Sequence, residues 1–167
     1  MEGLQEYLEG RNDMDCTLFL VIHFDQDILK RKIYNIVCEA VEDVVTDYQN
    51  FSRLSCRYFT LDIETEDIIS LDFLREEYRM EINAEIGIQL FGNTFAKGIE
   101  VLFNIFGNIL MDFNPDMVFV ENGTDQIFRK ENGTVIINTK LDEYQEKYLA
   151  NNINLLRLPH IYQDLSN

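Results

Sequence analysis

The stretch DMVFVENGTDQIFRKENGTVIINTK, Asp116 to Lys140, decides the fold. Two copies of Asn-Gly-Thr, beginning at Asn122 and Asn132, each stand between short apolar runs. Asn-Gly is the strongest local hairpin signal, because both central residues of a type I′ turn require φ > 0. The stretch therefore predicts three antiparallel strands, about 116–121, 124–130 and 134–139. With two-residue loops, Glu121 opposes Thr124, Phe119 opposes Gln126 and Val118 opposes Ile127; across the second turn, Arg129 opposes Ile136 and Phe128 opposes Ile137. One face then carries Met117, Phe119, Phe128, Val135 and Ile137, and the other Val118, Val120, Ile127 and Ile136. A sheet with one wet face alternates apolar and polar residues, and this one does not. The second face is expected to be covered by another element of the chain or by a partner.

Upstream, the spacing predicts a helix capped at Asn93 or Thr94 and ending before Asn114-Pro115. Phe95, Ile99, Leu102, Phe106, Ile109 and Phe113 form its stripe, widened by Phe103, Ile105 and Leu110 into the hydrophobic centre of the domain. Gly98 and Gly107 each cost such a helix about 1 kcal/mol relative to Ala, so they are read as sites of close packing. Residues 78–91 alternate as a strand, with Met80, Ile82, Ala84, Ile86, Ile88 and Leu90 on one face and Gly87 read as a bulge or close approach. Residues 54–66 form another, with Leu61 and Ile63 turned one way and Asp62, Glu64 and Glu66 the other; 67–76 holds a helical turn packing Ile68, Leu71 and Leu74. Cys16 to Phe24 reads as a central strand covered on both faces, followed by a helix capped at Asp25 and running to about Asp47. Its stripe is Leu29, Ile33, Ile36, Val37, Ala40, Val41, Val44 and Tyr48.

Downstream, 141–151 reads as a helix with Leu141, Tyr144, Tyr148 and Leu149 inward. The tail INLLRLPHIYQDL is apolar enough to dock on the body, over the second sheet face, with His160 in a surface loop. The expected architecture is α+β: a mixed or mostly antiparallel sheet of about five to six strands with two main amphipathic helices, in the order β-α-β-β-α-β-β-β-α. Residues 1–13 read as an acidic N-terminal arm, with Leu4, Tyr7 and Leu8 at helical spacing, and 14–167 as a single domain.

With 167 residues, 46% of them hydrophobic, the chain can bury a real core. No apolar run spans a bilayer, and the first residues are acidic and lack the apolar centre of a signal peptide, so a cytoplasmic protein is expected. Cys16, Cys38 and Cys56 are widely spaced and read as buried, reduced thiols rather than ligands or a disulfide. Thirty acidic residues against 14 basic ones leave a net charge of −16. Nucleic acid and anionic membranes repel such a chain, and a cationic protein partner meets it rapidly. Glycine-rich phosphate loops, nucleophile elbows and paired metal-ligand motifs are absent from the sequence, and His23 reads as structural. No cofactor is implied and no enzyme is expected.

The acid concentrates between Asp62 and Glu77, where Asp62, Glu64, Glu66, Asp67, Asp72, Glu76 and Glu77 accompany one base, Arg75. Three same-face carboxylates could hold Ca²⁺ or Mg²⁺, but the spacing of a calcium loop is missing. A solvated sheet edge and a docking patch for a basic partner are the other two readings. These seven acids are the candidate partner-binding residues.

From about residue 82 onward the chain resembles one class of small bacterial immunity proteins, the cognate inhibitors of contact-delivered polymorphic toxins. The likeness lies in an apolar helix, then Asp116 to Val120, Asn122-Gly123, Ile127 to Arg129, Gly133 to Asn138, and Leu158-Pro159. It implies a cytoplasmic, non-catalytic module that occludes a toxin domain, often a basic nuclease, through an acidic surface. Two alternatives stay open: a structural or assembly protein dimerising through the apolar second sheet face, and a small divalent-metal enzyme or ligand-binding domain.

Overall fold

A computed structural model describes residues 12–47 and 51–166. Residues 1–11 of the predicted N-terminal arm, with Leu4, Tyr7 and Leu8, and Tyr48 lie outside the described residues. Nine strands form one sheet: β1 (Met14–Leu20), β2 (Val45–Thr46), β3 (Arg53–Ser55), β4 (Phe59–Glu64), β5 (Ala84–Leu90), β6 (Met117–Glu121), β7 (Asp125–Glu131), β8 (Thr134–Asn138) and β9 (His160–Gln163). Their spatial order is β2-β3-β4-β5-β1-β6-β7-β8-β9, antiparallel throughout except for the parallel β8–β9 pair. Four α-helices accompany it: α1 (Gln26–Ala40), α2 (Leu71–Tyr78), α3 (Phe95–Phe113) and α4 (Glu143–Asn152).

The α+β class and the mostly antiparallel sheet stand as expected, but the count and order do not. Among the described residues there are nine strands rather than five to six and four α-helices rather than two main ones. The extra strands β2, β3 and β9 have two, three and four residues, too few to carry an alternation in sequence. Tertiary pairing makes them. β1 is the middle strand, paired with both β5 and β6, as its continuous apolar run demands.

α1, α3 and α4 cover one sheet face and α2 the other. Asp25 caps α1, its carboxylate accepting from the Ile28 N–H at 3.0 Å. The helix stops at Ala40 rather than near Asp47, because Val41 turns extended and the chain leaves for β2. α3 buries Phe95, Ile99, Leu102, Phe103, Phe106 and Ile109, which meet Phe119 and Phe128 of the sheet. Phe106 and Phe119 rings cross edge-on at 5.2 Å between centroids, within the favoured range for aromatic pairs. Gly107 earns its place: a Cβ there would drive into the Leu155 carbonyl of the 3-10 turn Ile153–Leu156, which lies against α3. Gly98 is crowded too, with Tyr58 and Leu90 carbons 3.3 Å from the position of a Cβ. Asp142 and Gln145 close a reciprocal capping box at the start of α4.

The second Asn-Gly turn sets the expected register, with Arg129 opposite Ile136 and Phe128 opposite Ile137. The first does not. Glu121 faces Asp125, Val120 faces Gln126 and Phe119 faces Phe128, so Ile127 is an extra residue, a β-bulge in β7. The bulge aligns Phe128 with Phe119 and moves Ile127 to the helix side, into the main core. Val118 and Val120 remain on the second face, packed with Phe19, Tyr78, Met80 and Ile82 and flanked by Leu71 and Leu74. The cover expected for that face is thus α2 and the segment after it, which pack on the apolar surface that the alternative reading gave to a homodimer.

Residues 78–91 are accordingly not one strand. Tyr78 ends α2, Met80 and Ile82 belong to the second core, and only Ala84–Leu90 joins the sheet. Asn83 marks the change: its amide accepts from Ile22 N–H and donates to Ile22 C=O, both at 2.8 Å. Gly87 sits in a continuous ladder without a bulge, and a Cβ there would meet nothing closer than 3.9 Å. Most of the tail lies away from the second face, and only its end returns there, with the Leu165 carbonyl accepting from Gln126 Nε2. The tail packs on α3, then adds β9 beside β8, so His160 is in a strand, not a loop.

Candidate functional site

The seven predicted partner-binding acids fall into two sets. Asp62 and Glu64 stand on β4, on the second sheet face, where Asp62 opposes Gly87 and Glu64 opposes Glu85. α2 does not pack here. Asp62 is bound in a fork by Arg53 at 2.7 and 3.3 Å. Glu64 turns back to accept the backbone N–H groups of Thr65, Glu66 and Asp67, each at 3.2 Å. The amides of Asp67 and Glu66 hold its carboxyl below the usual carboxylate range. Glu66 accepts from the Gln26 side chain at 2.7 Å. Glu64 therefore builds the β4–α2 turn, while Asp62 and Glu66 are held by Arg53 and Gln26. No group of three His, Cys, Asp or Glu among the described residues converges as a metal site.

The second set is displayed. Leu71, Leu74 and Tyr78 take the inward stripe of α2, at intervals of three and four, and leave Asp72, Phe73, Glu76 and Glu77 on its outer side. Arg75, the single base of the segment, turns inward and donates from Nε to the Ile82 carbonyl at 2.9 Å. The outer face of the helix thereby presents Asp72, Glu76 and Glu77. On it Phe73 is 62% exposed, and Ile69, in the turn before α2, is 84% exposed. Two large exposed apolar side chains thus stand in a segment that also carries Asp67, Asp72, Glu76 and Glu77, and apolar groups among charged ones are what a protein-binding surface presents.

Sequence reasoning singled out the acids and missed Ile69 and Phe73. The signal was present: once Leu71, Leu74 and Tyr78 are assigned inward, Phe73 cannot share their face.

Beside Phe73, between α2 and the chain after β9, runs a groove of about 900 Å³. Arg75, Arg79 and Arg129 line it together with Glu76, Glu77 and Asp164. Gln126 Oε1 and Arg129 Nε, both buried along it, have no hydrogen-bond partner. Burial pushes the Arg129 guanidinium below the usual arginine range, opposed by the charge of Asp116.

The thiols do not behave as a set. Cys16 is buried, Cys56 half-buried and Cys38 exposed on α1, so the expectation of three buried thiols is corrected for the last two. His23, read as structural, is exposed in the loop after β1. No described helix is long and apolar enough to cross a membrane. No family model, no curated protein and no solved structure matches the chain.

Proposed function

We propose that the chain is a non-catalytic, acidic binding protein that occludes a basic protein partner, as an immunity protein occludes a toxin domain, through the outer face of α2. The observation that carries this reading is the exposure of Ile69 and Phe73 in the segment that also carries Asp67, Asp72, Glu76 and Glu77. Apolar side chains held in water by a short helix gain nothing for the free protein. Seated in a partner, each can contribute about 2 kcal/mol or more to binding. The acids of the segment steer a cationic surface toward them and raise the encounter rate.

The test begins with the immobilised full chain and a lysate of its own organism, washed at low salt and at roughly 0.5 M salt, where surface electrostatics are largely screened. A basic protein retained stoichiometrically through the high-salt wash is the expected result. With that protein purified, Phe73→Ala should speed dissociation, while joint neutralisation of Asp67, Asp72 and Glu76 should slow association and flatten its salt dependence. A smear of basic proteins lost at high salt, or a retained partner indifferent to both changes, overturns the reading.

A further inference from the structure

We infer that the outer edge of β9 is a second docking site, for an extended segment of a partner that is apolar at alternate positions and flanked by lysine or arginine. The site is independent of the α2 surface.

The backbone supplies the first half of the argument. In the parallel β8–β9 ladder, Val135 N–H donates to Pro159 C=O and Thr139 N–H to Gln163 C=O, both at 3.0 Å. Carbonyls alternate in direction along a strand, so Pro159, Ile161 and Gln163 face β8, whereas the N–H and C=O of His160 and Tyr162 face outward. Among the described residues nothing pairs with those outward groups. Natural edge strands are guarded by charge, brevity or a bulge. The opposite edge is guarded: β2 has two residues and sits among Glu42, Asp43 and Asp47. β9, His-Ile-Tyr-Gln, has no charge at all, in a chain where 26% of residues are charged.

The side chains supply the second half. Ile161 is 51% exposed and Tyr162 66%, one on each sheet face, because the sheet extends one strand beyond its helical cover. Under that overhang lies an apolar groove of about 350 Å³ lined by Ile137, Leu141, Leu149, Ile153 and Tyr162, with Glu146 at its margin. A tenth strand on β9 would bond to Tyr162 and set an alternate side chain on the helix side, against Tyr162 and toward this groove. Charge selects the occupant. A second copy would bring −16 against −16, whereas a segment with cationic flanks meets this negative chain, and Glu146 in the groove, favourably.

The probes are a short peptide of alternating valine and threonine between lysine pairs and its counterpart between glutamate pairs, each added to the isotope-labelled full chain. The lysine-flanked peptide should slow exchange of the Tyr162 amide and shift the methyl resonances of Ile137, Leu149 and Ile153. The glutamate-flanked peptide should bind about tenfold more weakly or worse. Tyr162→Pro deletes the outward donor and leaves the β8 ladder intact, so it should abolish amide-directed binding while β8 amides stay protected. Tyr162→Thr, which keeps that donor, should bind with reduced affinity. Binding that leaves the Tyr162 region unperturbed, equal binding by both peptides, or no binding overturns the inference. Concentration-dependent protection of Tyr162 without peptide overturns it in favour of a second copy.

Discussion

Arg129 Nη2 donates to the Tyr78 carbonyl at 2.7 Å, which joins β7 to the last residue of α2 across the second sheet face. The same guanidinium is bonded to Glu131. α2 has eight residues, too few to persist alone in water, so its position depends on the small core beneath it and on this bond. Arg129→Met keeps the apolar stem and removes the donor, leaving the Tyr78 carbonyl unsatisfied. The expected loss is about 2 kcal/mol, the usual worth of a charged hydrogen bond. Amides of 71–78 should lose exchange protection before the rest of the sheet. Uniform loss of protection would show that α2 is not a separate unit.

Phe73 and Phe106 offer a contrast within one residue type. Phe106→Ala removes a ring held by Phe103, Phe119 and Phe128 and should cost about 3 to 5 kcal/mol of stability. Phe73→Ala removes a ring standing in water and should change stability by no more than about 0.5 kcal/mol. Urea unfolding of the two variants checks this. A large loss at Phe73 would mean the ring packs inward, and the proposed binding surface would go with it.

How far the sequence could be read follows from the range of the forces involved. Asn132-Gly133 specifies its hairpin locally, and α3 announces itself through nineteen residues of wide apolar stripe. The first hairpin misled twice: its loop takes in Thr124 as well as Asn122-Gly123, so Glu121 meets Asp125, and a bulge at Ile127, which has no local signature, then brings Phe128 opposite Phe119 beneath α3. Met80 and Ile82 misled for a related reason. They continue the alternation of Ala84 to Leu90 faultlessly, and only the tertiary fold shows that two cores divide the run. At the candidate site the acids were legible as composition, but their roles were not. Whether Glu64 faces a partner or its own turn depends on backbone N–H groups that sequence does not display.

Gly107 tests the packing of the tail. Its hydrogen sits where a methyl would overlap the Leu155 carbonyl, and backbone yields less readily than a side-chain tip. Gly107→Ala gains about 1 kcal/mol of helix propensity. It must also push the 3-10 turn off α3, with Ile153 and Leu156 buried behind it. Overpacking of this kind costs typically 1 to 3 kcal/mol, so about 1 kcal/mol of net destabilisation is expected. Because that turn leads directly into β9, exchange at 160–163 should quicken as well. A stabilised Gly107→Ala protein would show that the tail adjusts freely.

Glu85 links stability to pH. Burial, together with the charge of Glu64 directly across the strand pair, raises its carboxyl above the usual range. A carboxyl whose folded pKa lies above its unfolded value costs stability when ionised. That cost is fully present above the folded pKa and vanishes below the unfolded one. Glu85→Gln should therefore stabilise the protein at neutral pH, and the gain should fade as pH drops through the folded pKa to the ordinary carboxylate range. Glu64 carries the opposite sign. Its depressed pKa contributes stability that is present at neutral pH and is lost only as pH falls below the ordinary range and through the folded value. Urea unfolding from pH 7 to pH 3 separates the two residues: the Glu85→Gln advantage should disappear in the upper part of the acid range, while the penalty of Glu64→Gln persists further down before it too declines. A Glu85→Gln advantage that is constant with pH would place its origin in packing rather than in charge.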